Sequence, residues 1–166
     1  MWKNIVFVVL GILLFCVDVN AQTVVIEEND VPLNVQAWFY KRYDKPKNLQ
    51  WSTKQISGKK CFAVSFNHKG RLVSSLYDPN GAILEESAVN NNPILSSEIK
   101  EYVKANYDKF KALRLKSIKI FNTISPQPIV YYQLVGKTNQ DNVSVWFDSN
   151  NQIRKKKDFS GYALAN

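Results

Sequence analysis

Residues 61–81 read CFAVSFNHKGRLVSSLYDPNG, and the fold turns on how this stretch is read. Phe62, Val64 and Phe66 alternate with Ala63 and Ser65, the period of a strand that buries one face and leaves the other toward solvent. His68-Lys69-Gly70 and Asp78-Pro79-Asn80-Gly81 place turn chemistry at either end of the next segment. An antiparallel pair over 61–67 and 71–77 follows, continued by a strand over 82–87. Upstream, Ser57-Gly58-Lys59-Lys60 separates strand 61–67 from another over 48–56. A helix precedes them: Val35, Phe39 and Tyr43 form an i, i+4, i+8 stripe, Pro32 suits a first helical turn, and Asp30 stands where a cap is wanted.

The same order of signals recurs. Ile99, Val103 and Tyr107 match the first helical stripe at an offset of 64, with Asn92, Pro93 and Ser96-Ser97-Glu98 near the start of this second helix. Phe147-Asp148-Ser149-Asn150-Asn151 matches Tyr77-Asp78-Pro79-Asn80-Gly81 at an offset of 70. Strands are predicted over 113–124, 128–135, 142–148 and 152–157. The expectation is an α+β domain of two tandem helix-plus-four-strand repeats, about 31–87 and 93–158. About eight antiparallel strands would form one sheet, with both helices on one face and the other face open.

Met1-Trp2-Lys3-Asn4, an apolar run from Ile5 to Val17, and Val19-Asn20-Ala21 have the form of a signal peptide cut after Ala21. The run is shorter than the roughly 20 residues that span a bilayer, and Phe15 before Cys16 is too bulky for lipoprotein processing. Residues 22–166 would then be one exported domain, periplasmic or secreted, with no transmembrane segment after cleavage. Cleavage removes Lys3 and Asp18, one charge of each sign, so the net charge of +8 stays with the folded part. Export makes nucleic acid a poor partner and leaves an acidic protein, an anionic glycan or an envelope surface. Cys61 becomes the single mature thiol, which excludes a disulfide framework.

The order Val31-Pro32, Phe39, Tyr43, Trp51, Phe62 to Phe66 and Tyr77 to Gly81 resembles the PepSY-like, β-lactamase-inhibitor-like family of exported bacterial proteins. The second copy repeats it more weakly, with Ile99, Tyr107, Tyr131-Tyr132 and Val145 to Asp148, but without a Trp matching Trp51 or a Gly matching Gly81. The resemblance implies an exported, non-enzymatic protein that binds a protein or peptide. Inhibition of a β-lactamase is a label attached to the fold and is not carried over as an activity.

Catalytic, cofactor and metal sites are not expected. The single histidine, His68, sits in a turn with no Gly-x-Ser-x-Gly elbow elsewhere, so it reads as an exposed turn residue. Glu85 and Glu86 are adjacent on a strand and point to opposite faces, which rules out a shared substrate atom and leaves a solubilising role. Asp78-x-Asn80 and Asp148-x-Asn150 resemble fragments of calcium loops but lack the further acidic ligands, and read as hairpin turns. Trp146 stands out, because Val143, Val145 and Phe147 already supply the buried side of its strand. With Val130, Tyr132 and Leu134 inward, Tyr131, Gln133, Ser144 and Trp146 form an aromatic, hydrogen-bonding patch on the open face. The competing reading covers Trp146 with the tail Phe159 to Tyr162. Lys155, Lys156 and Lys157 after Arg154 protect a sheet edge or contact an acidic partner. The expected function is a binding or inhibitor-like module that contacts a protein or peptide through this face, with binding of an anionic surface or polysaccharide as the alternative.

Overall fold

Ser57-Gly58 and Lys69-Gly70 each hold both turn residues at positive φ, 49° and 77° in one and 48° and 76° in the other. Two-residue turns of that handedness match the right-handed twist of the strands they join. The sheet grows from them as a simple meander. The structure, a computed structural model, describes residues 23–122, 125–156 and 158. The strands are β1 (Val24–Ile26), β2 (Lys47–Ile56), β3 (Lys59–His68), β4 (Arg71–Tyr77), β5 (Ile83–Asn90), β6 (Lys111–Ile120), β7 (Ile129–Lys137), β8 (Asn142–Asp148) and β9 (Ile153–Arg154). They pair antiparallel in chain order within one sheet. Helix α1 (Leu33–Arg42) lies between β1 and β2, and α2 (Ser97–Asn106) between β5 and β6.

The α+β class and the two-layer arrangement agree with the sequence reading, and the extent of several strands differs from it. A ninth strand, β1, pairs Val24 with Thr53 and Ile26 with Trp51; three residues are too few to show a period. The last strand covers two residues instead of 152–157. Lys155 N–H donates to the Asp158 carboxylate at 2.9 Å and Asp158 N–H to the Lys155 carbonyl at 2.9 Å, a turn that takes the chain out of the ladder. Strand β6 begins at Lys111 and ends at Ile120, and residues 123–124 of the expected strand lie outside the described residues. So do the expected signal peptide at 1–21, Lys157 and the tail from Phe159.

Helix α1 begins one residue after Pro32, without a side-chain cap, while Gln36 reaches back to the carbonyls of Val31 and Glu28. Helix α2 begins at Ser97, with Ser96 capping Ile99 N–H, so Pro93 belongs to the connection before it. Both helices pack on the same face of the sheet. Under α1, Val35 and Phe39 are fully buried with Trp51, Phe62, Val64, Phe66, Val73 and Tyr77. The Phe39 ring meets Trp51 at 5.2 Å and Phe66 at 5.0 Å, both edge to face, the arrangement that suits ring quadrupoles. Under α2, Ile99 and Val103 pack on Leu134, Val145 and Phe147.

The turns that close β4–β5 and β8–β9 make the same bonds. Asp78 Oδ1 accepts from Asn80 and Ala82 N–H at 2.9 and 2.8 Å, and Asp148 Oδ1 from Asn150 and Gln152 N–H at 2.9 and 3.0 Å. Each aspartate carbonyl accepts from the residue three places on, Gly81 or Asn151, at 3.1 Å. That residue has φ of 87° in the first turn and 61° in the second, so Asn151 occupies a conformation that glycine adopts without cost. A Cβ at Gly81 would lie 2.6 Å from Trp38 Cδ1. Asn151→Gly is therefore expected to stabilise the fold by about 0.5 kcal/mol and Gly81→Ala to destabilise it by more than about 1 kcal/mol, measured by urea unfolding.

Candidate functional site

Cross-strand register places the candidate residues. Facing pairs share a face of the sheet, so Tyr131 with Asp148, Gln133 with Trp146 and Val135 with Ser144 all point away from the helices. The next strand adds Ile118 opposite Tyr131, Lys116 opposite Gln133 and Ile120 opposite Ile129. Here β6 inverts its pattern. Leu115 faces the α2 core, whereas Ile118 and Ile120 form a separate buried cluster with Tyr131, against which Trp146 packs, on the face that no described helix covers. The Tyr131 and Trp146 rings lie 5.8 Å apart and tilted by 36°.

Tyr131, Gln133, Ser144 and Trp146 are thus brought together. Tyr131 is not an exposed contact: it is 8% exposed, and burial and then Glu85 push its phenol up to about 12. Trp146 is half-buried, since its indole lies against the cluster rather than standing clear of the sheet. Gln133 Nε2 donates to Ser144 Oγ at 3.3 Å, and Ser144 is exposed. Beside them Arg154 donates from Nε and Nη2 to one oxygen of Asp148, Oδ2, at 2.9 and 2.8 Å. Lys155 and Lys156 are exposed beyond β9.

Directly beneath this face, on the helix side, lies a polar group that the sequence reading assigned to solubility. Glu86 is 14% exposed. Its carboxylate accepts from Arg42 at 2.9 Å, from Lys119 at 3.0 Å and from the Tyr43 hydroxyl. Because Tyr43 gives its proton to Glu86, Ser75 must donate to Tyr43 across their 2.8 Å contact. Arg42 of α1, Tyr43 just past its end and Lys119 of β6 therefore meet at one carboxylate on β5, and Ser75 of β4 holds Tyr43 from behind. Burial pushes that carboxyl up, but the bonds from Tyr43, Lys119 and Arg42 outweigh it and hold it below the ordinary range. A glutamate facing the helix layer, opposite Lys119 across β5–β6, was the legible signal.

The remaining candidates resolve into structure. His68 is half-buried at the end of β3, its ring 5.6 Å from that of Tyr43, because the Lys69-Gly70 turn folds it onto the sheet. Trp38 is exposed beside Gly81 with the Lys41 ammonium 4.8 Å above its ring. Tyr40 donates to Glu28. The Cys61 thiol is buried and pushed up by that burial. Among the described residues no cluster of His, Cys, Asp and Glu is arranged to hold a metal ion.

Solved structures share this architecture. The chain aligns with a BLIP-like protein from Bacteroides fragilis at 13% identity and TM-score 0.57, over 75% of this chain and 83% of that one. A DUF2874 family protein from Bacteroides ovatus matches at 14% identity and TM-score 0.58, over 75% and 84%. A protein from Bacteroides eggerthii, described provisionally as periplasmic, matches at 16% and 0.59, over 75% and 86%. These likenesses concern the fold. No family model matches the sequence, and no curated protein does. No helix among the described residues is long and apolar enough to cross a membrane.

Glu86 supplies the testable consequence. Glu86→Gln leaves two cations and a phenol facing a neutral amide, and should cost about 2 kcal/mol, less than a fully buried pair because the site is partly open to water. A carboxyl whose folded pKa is depressed stabilises the fold above its unfolded value and loses that contribution as pH falls through the folded value. In acid titration of stability, Glu86→Gln should therefore differ most from wild type at neutral pH and converge with it below the carboxylate range.

Proposed function

We propose that the protein is an exported, non-enzymatic binding module of the PepSY-like, BLIP-like type. In this reading residues 1–21 are removed, residues 22–166 fold as one domain of two related halves, and the domain contacts a protein or peptide on the face opposite α1 and α2. The observation that carries it is the inversion in β6. Ile118, Ile120 and Tyr131 form an apolar cluster on the side of the sheet that no described helix covers, and Trp146 lies over its edge. Trp146 is the aromatic contact, Tyr131 braces the indole, and Gln133 and Ser144 supply hydrogen-bonding groups beside it. Half-buried aromatic rings ringed by polar groups are typical of residues that dominate binding energy. Lys155 and Lys156 extend the surface with positive charge toward an acidic partner, and Lys157, the next residue in sequence, is counted with them in this reading. The likeness in fold to a BLIP-like protein supports a binding role, and descriptions of a neighbour as periplasmic support export.

The net charge of +8 favours one other reading, attraction to an anionic glycan or envelope surface. Capture from an envelope fraction at low and physiological salt separates the two. Wild type should retain a discrete protein at both salts, and Trp146→Ala, with its folding checked by circular dichroism, should weaken capture by about 30-fold, the loss of an aromatic hot spot. Equal capture by the variant would refute the face. Capture of glycan alone, abolished by salt and untouched by the variant, would establish the electrostatic reading instead.

A further inference from the structure

Ile118 and Ile120, on the side of the sheet opposite α1 and α2, are 3% and 2% exposed, as little as Val145, at 3%, in the core beneath α2. Side chains standing on one sheet wall each other in laterally, and a second layer completes the closure from above. Tyr131 and Trp146 also engage groups besides one another. The chain past β9 heads toward this cluster. Arg154, the last residue of β9, stands opposite Trp146. Asp158 Oδ2 then accepts from Lys155 N–H at 2.9 Å, Asp158 N–H donates to the Lys155 carbonyl at 2.9 Å, and Asp158 is already helical. A carboxylate reaching back three residues to a backbone N–H is one half of the capping box that opens a helix. Asp158 also lines a cavity with Pro128, Ile129 and Asp148, and Ile129 and Asp148 stand opposite Ile120 and Tyr131. The helical turn therefore opens at the border of the cluster. In sequence, Phe159, Tyr162 and Ala163 follow at i, i+3 and i+4, the spacing of one helix face. The eight residues 159–166 in helical form would cover about 12 Å, enough to cross the roughly 10 Å from β8 to β6.

We propose that residues 159–166, which lie outside the described residues, continue this helical turn across β8 and β7 and lay Phe159 and Tyr162 over Ile118, Ile120 and Trp146. The face then carries an occupant from its own chain, and the Tyr131 and Trp146 rings are held between the sheet and that segment. Packing of two aromatic rings on an apolar cluster supplies the driving force, since it removes the remaining apolar surface of the cluster from water. The inference concerns the same face as the binding reading but does not depend on it: a partner reaching Trp146 would displace the segment, whereas the packing stands without one.

Nuclear magnetic resonance of the purified protein tests it. Nuclear Overhauser contacts are expected, within one molecule, between the ring protons of Phe159 or Tyr162 and the methyl groups of Ile118 and Ile120. Phe159→Ala combined with Tyr162→Ala should shift the Trp146 indole N–H and both sets of isoleucine methyl resonances, because the rings beside them are lost. Leu164→Ala, off the apolar stripe, should leave those resonances in place. The Trp51 indole N–H, buried in the α1 core, should stay unmoved in every variant and so reports intact folding. Absence of the ring-to-methyl contacts, resonances unmoved by the paired substitution, or an equal shift on Leu164→Ala would overturn the proposal. So would contacts that form only between differently labelled molecules, which would make the occupant a second copy of the chain.

Discussion

An ionised carboxylate survives inside a protein layer only where cations and hydrogen bonds replace its water. Glu86 is in that position, and the arrangement of both layers follows from it. Among the described residues, two helices of ten residues each cannot cover a nine-stranded sheet, and the layer they form has a gap beneath β5 and β6. The inner residues there are Glu86 and Ala88 facing Lys119 and Ser117, which separate the α1 core from the α2 core. Arg42 spans from the end of α1 to Glu86, with its guanidinium 5.3 Å from the Phe121 ring. The seam is polar, yet its central charge is fully partnered.

Much of this was legible before the structure. Phe62, Val64 and Phe66 revealed the α1 core because strict alternation over five residues has one explanation, and the offsets of 64 and 70 located both helices and both aspartate turns. What escaped was short or coupled. Three residues of β1 show no period, and the tight Ser57-Gly58 turn lengthens β3 by two residues at its start. Glu86 escaped because adjacent acidic residues ordinarily mark a solvated surface; its role depends on Arg42, 44 residues away, and on Lys119, 33 residues away. Tyr131 was assigned to the correct side of the strand but to the wrong environment. Its burial depends on Ile118 opposite it on β6, where the reading had weighed only β7 and β8.

The inversion in β6 left a mark in the sequence. Leu115 is odd and Ile118 and Ile120 are even, so an alternating strand cannot place all three on one face. Such a break usually signals a bulge, and one does lie earlier in the strand, between Ala112 and Arg114. Beyond Arg114 the register with β7 is continuous, so the change of face belongs to the side chains and not to the backbone. Along β6 the apolar groups pass from the side of α1 and α2 to the opposite side.

Seam and cluster are therefore two faces of one segment. Ser117 and Lys119 line the gap between the helices, where an apolar pair would be left facing water, and Ile118 and Ile120 take the opposite side with Tyr131. A sheet whose outer face served only as surface would gain nothing from grouping two isoleucines, a tyrosine and a tryptophan at its centre, because apolar groups on a solvated face contribute stability only by burying one another. The grouping is tight enough to bury Ile118, Ile120 and Tyr131 and incomplete at Trp146, whose indole keeps part of its surface in water. That residual surface sits beside Gln133 and Ser144, with Lys155 and Lys156 past the end of β9, and so the incomplete edge of the cluster is also where the face carries its hydrogen-bonding groups.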